Sequence, residues 1–282
     1  MTKRNKIYRR RRRAITPQGA FIVAVIVMVV LVAAMLKTWG RDNTSGPTVD
    51  PTTDLTYIPT VKGINGRELQ YTGFKVNFNP ELHIPNYVVW TLTDSTLNGP
   101  YSRKNAKFQA DTDVEGSASP DDYRRSGFDR GHMAPAADMK WSPEAMTDCH
   151  YMTNICPQDN KLNTGAWSTV ENMCRRWAER YGRLIIVCGP VVTDYMTRHI
   201  GRNDVAVPER FFKVVIAPDA KKPKGIGFLM PNSYIEGGAQ QSVVSIDQIE
   251  AITGYDFFSS LPDEIETEIE RQASLQDWQR GK

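Results

Sequence analysis

Residues 126–135 read SGFDRGHMAP, and residues 154–163 read NICPQDNKLN. A histidine beside an aspartate and an arginine is, by itself, more often a paired surface residue than a catalytic base. The second stretch favours chemistry, because Asn163 lies at the start of a predicted helix and Glu171 follows eight positions later on a similar face. Arg175 lies at the next i, i+4 step. The two stretches together predict a site that combines an imidazole, an amide and a carboxylate.

These residue types suit the hydrolysis of a phosphodiester. A hard cation such as Mg²⁺ prefers oxygen ligands and keeps most of its waters, so one amide oxygen from Asn163 and an outer carboxylate from Glu171 can hold it. A neutral imidazole with an ordinary pKa of about 6.5 suits His132 to take a proton from water at physiological pH. Charge on the phosphorus oxygens is met by an arginine with paired donors. The candidates for this role are Arg103, Arg130 and Arg175.

The same motifs carry a family resemblance. The DRGH motif at 129–132, its context GFDRGHMAPAADMKW, the segment NICPQxxxLNxGAW and the following Glu171 resemble the DNA/RNA non-specific endonuclease family, which includes mitochondrial endonuclease G and secreted bacterial nucleases. Four letters alone are a weak signal, but this ordered set at this spacing is highly specific. The resemblance covers residues 57–262, with shorter matches at AVP 206–208, FFK 211–213, MPN 230–232, ID 246–247 and TG 253–254.

The resemblance implies a ββα-metal nuclease fold, with a central and mostly antiparallel sheet flanked by helices. His132 would correspond to the general base that activates water. Asn163 would be the direct protein ligand of a hydrated Mg²⁺, with Mn²⁺ as the alternative, and Glu171 would hold that cation through water. Arg103 aligns with the arginine that stabilises the transition state in the family.

The resemblance also implies supporting residues and partners. Arg130 and Arg175 would support the phosphate and Glu171, and Asp129 would orient the loop. The implied partners are DNA and RNA, contacted through the backbone with little sequence preference, and no small-molecule cofactor. The cation would act as a Lewis acid and stabilise the leaving 3′ oxygen, since family members typically leave a 5′-phosphate and a 3′-hydroxyl. Family members often dimerise, which makes a homodimer an expectation here.

Beyond the motifs, short strand-like runs alternate with helical ones, which predicts a mixed α+β domain over residues 57–282. The clearest helix runs from Thr164 or Gly165 to Tyr181, because apolar residues recur at three- and four-residue intervals, and Gly182 ends it. The other predicted elements are a helix at Val244–Thr253 and strands at Phe74–Phe78, Tyr87–Leu92, His150–Asn154, Leu184–Cys188, Phe211–Ala217 and Gly225–Met230.

The N-terminal sequence predicts a membrane anchor. Residues 20–36 form an uncharged apolar run, at the short end of what spans a bilayer, and a dense group of Lys and Arg precedes it. This bias predicts a basic cytoplasmic N-terminus at 1–19, a transmembrane signal-anchor at 20–38, and export of the remainder to a periplasmic or extracellular space. Residues 39–56 have the composition of a flexible linker. Secretion after signal cleavage and mitochondrial targeting remain open alternatives.

Charge and cysteine content narrow the function. Positions 42–282 hold 25 basic and 32 acidic residues, although the whole chain has a formal charge of +3. A uniformly basic nucleic-acid-binding surface is therefore excluded, and any phosphate-binding cluster must be local. The four cysteines lack paired zinc-ligand spacing, so structural thiols or disulfides of open pairing are favoured over a metal site. They are Cys149, Cys156, Cys174 and Cys188.

Three functions are compatible with these features. The leading one is a membrane-anchored, metal-dependent endonuclease that hydrolyses DNA and RNA with little sequence specificity. The second is a narrower phosphodiesterase, which acts on one nucleic acid or on a small nucleotide. The third is a membrane-tethered nucleic-acid-binding protein with weak or lost activity, and the acidic folded region gives it some weight. The presence of His132, Asn163, Glu171 and Arg103 together favours an active enzyme.

Overall fold

The computed structural model describes residue 28 and residues 49–50, 52–59, 64–193 and 196–280. Within these residues, no helix combines the length and the apolar character that crossing a membrane requires. The predicted basic N-terminus at 1–19 lies outside the described residues, as do the anchor predicted at 20–38, apart from Met28, and most of the linker predicted at 39–56. All the helices and strands given below lie between residues 67 and 280.

An antiparallel sheet forms the centre of the fold. The strands of the described chain are β1 Arg67–Tyr71, β2 Phe74–Asn79, β3 Ile84–Thr93, β4 Asp129–His132, β5 Ile155–Gln158, β6 Arg183–Pro190, β7 His199–Ile200, β8 Val205–Ala206, β9 Arg210–Ala217, β10 Lys224–Pro231 and β11 Val243–Val244. Seven of them form one sheet in the order β1-β2-β3-β6-β9-β10-β11, in which every neighbouring pair is antiparallel. The predicted α+β class with a central antiparallel sheet is confirmed.

The sheet is buried on both faces. In β3, Val88, Trp90 and Leu92 belong to one apolar cluster, while Tyr87 and Val89 belong to a second cluster on the opposite face. This division follows from the alternation of side chains along a strand. Because both faces are covered, β6 and β9 are almost continuously apolar rather than alternating with polar residues.

Helices cover the two faces. They are α1 Asp94–Leu97, α2 Pro143–Asp148, α3 Ser168–Tyr181, α4 Ile246–Thr253, α5 Asp263–Glu270 and α6 Leu275–Arg280. Helix α3 buries Val170, Cys174 and Trp177 in the first cluster, and Gly182 ends it at a φ of 86° while donating its N–H to the carbonyl of Ala178. Helices α4 and α5 pack on β10 and contribute to the second cluster.

A smaller unit of two strands and a helix carries the motifs. Strands β4 and β5 pair antiparallel, so that His132 lies opposite Ile155. A π-helical turn at Leu162–Trp167 then leads into α3. Gly131 lies so close to Gln158 that any side chain at this position would collide with it, which explains the glycine of the DRGH motif.

One predicted strand is wrong. The segment His150–Asn154 was expected to be extended, but residues Met152–Asn154 form a 3₁₀ turn and the strand starts only at Ile155. The side chain of Asn154 accounts for the difference. Its amide donates to the carbonyls of Ala134 and Cys149, and its oxygen accepts the N–H of Ala134, so the turn is fixed by contacts from elsewhere in the chain.

The start of the predicted helix at Thr164 or Gly165 also differs. Gly165 departs from helical geometry, with φ −102° and ψ −107°, and separates the π turn from the regular α-helix. The expectation that Asn163 and Glu171 share one continuous helical face is therefore wrong. They reach the same region because the wider turn changes the direction of the chain between them.

Candidate active site

The predicted site residues meet at one cavity with a volume of about 900 Å³. His132 ends β4, Asn163 lies in the π turn, and Glu171 lies in the first turn of α3. All three line the cavity, as does Arg103, which lies on a separate 3₁₀ turn. Residues that are far apart in the sequence are thus brought to one surface.

The cavity also contains a local basic cluster, which phosphate binding needs in a folded region that is acidic as a whole. Four cationic side chains line it, against three carboxylates. The cationic residues are Arg103, Arg124, Arg130 and Lys140, and the acidic ones are Asp121, Asp129 and Glu171. A phosphate would therefore meet positive charge at the cavity, although the folded region as a whole is acidic.

Asp129 orients the amide of Asn163. The Nδ2 of Asn163 donates to the Oδ2 of Asp129 at 2.9 Å, and the Nδ2 of Asn160 donates to the same oxygen at 2.9 Å. This bond leaves the Oδ1 of Asn163 as the amide atom that can accept a ligand. An amide oxygen with the Glu171 carboxylate on the same cavity wall is a donor set that fits a hard divalent cation.

His132 is held as a neutral imidazole. Its ring lies edge-on to that of His150, with centroids 4.9 Å apart, and 5.0 Å from the ring of Phe108. Burial lowers the pKa of His132 to about 3, and the nearby charges of His150 and Arg103 act in the same direction. Its Nε2 is buried and has no hydrogen-bond partner among the described residues. The side chain therefore carries an available lone pair at neutral pH.

The lowered pKa of His132 predicts an acid-sensitive fold. Because the pKa is lower in the folded chain than in the unfolded chain, the resulting stability is present above about pH 6.5 and is lost as the pH falls toward 3. Urea unfolding in EDTA should show a loss of roughly 2 kcal/mol between pH 7 and pH 5 from this group. His132→Gln should remove that part of the loss, and the exposed His199→Gln should leave it unchanged. Equal pH dependence in all three proteins would contradict the buried neutral imidazole.

The charge of an unexpected cation, Lys213, acts on Glu171. Burial raises the pKa of Glu171 to about 7, and the charge of Lys213 is the largest effect opposing that rise. Lys213 itself is 1% exposed, and its Nζ has no hydrogen-bond partner among the described residues. The ammonium lies 4.1 Å from the ring centroid of Trp167 and 5.1 Å from that of Trp90. These aromatic faces stabilise the buried charge in place of water.

The other predicted arginines separate into two positions. Arg130 lines the cavity and stacks over Phe108, with its guanidinium carbon 4.7 Å from the ring centroid. Arg175 does not line the cavity. Its guanidinium donates to the buried Asp138 at 2.8 Å and to Asn172 at 2.9 Å. The charge of Arg175 lowers the pKa of Glu171, in agreement with its predicted support of that carboxylate.

The sequence interpretation missed two residues beside the site, Lys213 and His150. A lysine in the apolar run FFKVVIA of β9, at an inward position between Phe211 and Val215, was a detectable signal of a buried charge. His150 is the first residue of an expected strand, and only the fold places it against His132. Trp167 is buried, and its Nε1 donates to the carbonyl of His132 at 3.2 Å.

The fold and the site thus define a chain with a central antiparallel sheet and a ββα unit at a basic cavity. A model of the family described as DNA/RNA non-specific endonuclease matches residues 52–264. The chain belongs to this family, whose members are nucleases that act on nucleic acids and generally depend on a divalent metal.

Individual relatives agree with this assignment. The chain is 35% identical over 210 residues to mitochondrial nuclease EXOG of Mus musculus, covering 68% of this chain and 57% of the relative's length. It is 31% identical over 218 residues to mitochondrial endonuclease G of Homo sapiens, covering 72% of each. A crystal structure of an EndoG/EndoGI complex, described as showing the mechanism of EndoG inhibition, is similar with a TM-score of 0.65 and 26% identity, over 70% of this chain and 88% of that one. The matched segment therefore spans little more than half of the mouse nuclease.

Proposed function

We propose that this chain is a metal-dependent endonuclease that hydrolyses phosphodiester bonds in DNA and RNA with little sequence specificity. The observation that carries the proposal is the convergence of His132, Asn163, Glu171 and Arg103 on one basic cavity. The family assignment and the named nuclease relatives support the same reaction. The arginines that line the cavity would contact phosphates, and phosphate contacts carry no sequence information, so little sequence specificity is expected.

His132 is the proposed general base. Its neutral imidazole takes a proton from the attacking water, and the negative charge of a bound phosphodiester raises the proton affinity of the ring at the moment it is needed. The carbonyl of His132 is held by Trp167, and its ring packs against both Phe108 and His150, so its orientation is fixed before substrate arrives.

The arginines and the acidic residues have different proposed roles. Arg103 donates to the phosphate oxygens as negative charge develops, and Arg130 supports the substrate backbone at the edge of the cavity. Asn163 and Glu171 are the proposed holders of the cation, Asn163 directly and Glu171 through water. Asp129 positions the amide of Asn163. When bound there, Mg²⁺ or Mn²⁺ supplies a Lewis acid that stabilises charge on the phosphate and on the leaving oxygen.

The direct test uses the full-length chain with supercoiled plasmid and with a structured RNA. Cleavage of both substrates in Mg²⁺, lost on addition of EDTA and recovered with excess Mg²⁺, is the expected result. Cutting of only one substrate would replace the proposal with a narrower phosphodiesterase. Plasmid binding by folded protein without any cutting would replace it with a nucleic-acid-binding protein that has lost activity.

Lys213 is proposed as the residue that keeps Glu171 ionised. Lys213→Met keeps the length of the side chain and removes its charge, so the pKa of Glu171 should rise further above neutral pH. We expect cleavage at pH 7 to fall about tenfold for each unit by which that pKa rises, and to recover partly at higher pH. The free energy of unfolding should increase by about 1 kcal/mol or more, because an unpaired buried charge is removed. A parallel loss of stability and activity would mean that Lys213 is only structural.

The cellular placement remains a proposal. The relatives are named as mitochondrial nucleases, while the apolar run of this chain favours an anchor at residues 20–38 that leaves the domain at 57–282 exported. Fractionation of expressing cells tests the anchor, because an anchored chain stays with membranes after an alkaline wash and a processed chain is released.

Light scattering of the purified protein tests the proposed homodimer.

A further inference from the structure

A second group of potential metal ligands lies behind the cavity. Cys149 and His150 follow α2 directly, and the fold brings them to His132 at the end of β4. One ligand atom of each residue lies within 4.8 Å of the others. Cys149 is fully buried and His150 is 2% exposed, while His132 also faces the cavity. Of the three side chains, His132 is the one that lines the cavity.

The three side chains differ from the oxygen donors at Asn163. The Nε2 of His132 is buried without a hydrogen-bond partner among the described residues. Burying a polar atom without a partner destabilises the fold unless a ligand satisfies that atom. The Sγ of Cys149 lies 3.3 Å from the Nδ1 of His150, and both contact the carbonyl of Met146. Burial lowers the pKa of both histidines, so both rings are neutral. The Nδ1 of His150 donates its hydrogen to the carbonyl of Met146, so the lone pair of that ring lies on its Nε2.

We propose that His132, Cys149 and His150 form a site for a divalent cation that prefers nitrogen and sulfur ligands, with Zn²⁺ as the natural occupant. Two imidazoles and one thiolate, with water from the cavity as the fourth ligand, complete a tetrahedron. Zinc bonds of 2.0–2.3 Å place ligands about 3.5 Å apart, so ligand atoms that now lie within 4.8 Å of one another would move together by up to about 1.3 Å on binding. Mg²⁺ rejects such ligands, so this site is distinct from the cation site at Asn163.

Binding of the cation releases one proton from Cys149. The S–H bond of Cys149 breaks, its proton passes to solvent, and the sulfur lone pair binds the cation. Burial raises the pKa of this thiol to about 12, and the cation supplies the charge that reverses the effect. Arg103 faces the cluster and repels a cation, while Asp138 and Asp148 act on Cys149 with the opposite sign. The surrounding charges therefore allow a divalent cation to bind once Cys149 has lost its proton.

Occupation of this site would switch off hydrolysis, a consequence that rests on the proposed function. A neutral imidazole has one lone pair in its ring plane. When that pair of His132 binds a cation, the other ring nitrogen keeps its hydrogen and no atom remains to accept a proton from water. A low concentration of Zn²⁺ would thus inhibit the enzyme even at a high concentration of Mg²⁺.

Co²⁺ gives a direct test of binding that does not depend on activity. The full-length chain, stripped of metal, is titrated with Co²⁺, which shows visible bands when tetrahedral and a near-ultraviolet charge-transfer band when bound to thiolate. We expect both bands to saturate at one equivalent and to disappear when Zn²⁺ displaces Co²⁺. Cys149→Ala should lack the charge-transfer band, and Cys174→Ala, which removes another buried thiol on α3, should retain it.

Inhibition is measured separately, as plasmid cleavage in excess Mg²⁺ with increasing Zn²⁺. His150→Phe and Cys149→Ala should each need more than about tenfold more Zn²⁺ for half-inhibition, since loss of an outer partner alone costs roughly tenfold or more. Cys174→Ala should match the native protein. Absence of the cobalt bands, or equal Zn²⁺ inhibition in all variants, would overturn the site. Cobalt bands in a chain that cuts nothing would leave the site standing and refute only the proposed nuclease function.

Discussion

His132→Ala is expected to lower the initial rate of plasmid nicking at pH 7 by roughly 10²- to 10⁴-fold, the range attributable to general base catalysis. The native imidazole is neutral at this pH, because burial lowers its pKa to about 3, and it lines the cavity with Asn163 and Glu171. Alanine removes the lone pair that accepts the proton from water. The arginines and the cation donors remain, so a residual metal-dependent rate should persist.

The matched control is His199→Ala. His199 is exposed on β7, outside the cavity lining, and its removal should leave the rate native. Added imidazole should restore part of the activity of His132→Ala, because a diffusible base can occupy the space that the side chain leaves. Native-like cutting by His132→Ala would remove His132 from the proposed role. An equal loss of activity in both variants would mean that the assay reports folding rather than proton transfer.

Most of the sheet could be predicted because its strands are short apolar runs with clear ends. The predicted strands Leu184–Cys188, Phe211–Ala217 and Gly225–Met230 lie within β6, β9 and β10, which are longer by three residues, one residue and two residues. Burial on both faces gives these runs their continuous apolar character, and that character is local in the sequence. Tertiary contacts were needed only to define their order.

The two errors in predicted secondary structure lie in the backbone around the site. Asn154 holds a 3₁₀ turn through Ala134 and Cys149, twenty and five residues away, so no local pattern could show that the expected strand starts late. The π turn depends on the conformation of Gly165, which sequence periodicity treats as an ordinary helical position. The motifs nevertheless identified His132, Asn163 and Glu171, which all line the cavity.

The cysteines illustrate the limit of spacing arguments. Sequence spacing favoured structural thiols or disulfides, and all four are buried free thiols. Cys149 nevertheless lies with His150 and His132 in one cluster, although His132 is seventeen positions upstream of Cys149. Ligand sets assembled from a strand end and a helix end have no characteristic spacing. The pairing of β4 with β5, together with the hydrogen bonds of Asn154 to Ala134 and Cys149, places the strand end that carries His132 beside the end of α2.

Asn163→Ala should produce the second large effect, a loss of at least roughly 10²-fold in cleavage at limiting Mg²⁺. Asn163 is the proposed direct protein ligand, so alanine removes the amide oxygen and leaves only the outer carboxylate of Glu171. The rate should recover partly as Mg²⁺ is raised, because the defect is in cation affinity rather than in proton transfer. Initial rates measured over a wide range of Mg²⁺ concentrations distinguish a defect in cation affinity from a defect in proton transfer.

Asn160→Ala provides a close internal comparison, because Asn160 and Asn163 donate to the same Oδ2 of Asp129, each at 2.9 Å. If the amides serve only to hold Asp129, both variants should lose similar activity and neither should respond to added Mg²⁺. If Asn163 binds the cation, Asn160→Ala should stay near the native rate while Asn163→Ala becomes dependent on high Mg²⁺. Asp129→Asn should then fall between them, since it weakens the bond that turns the oxygen of Asn163 toward the cavity but leaves that oxygen present.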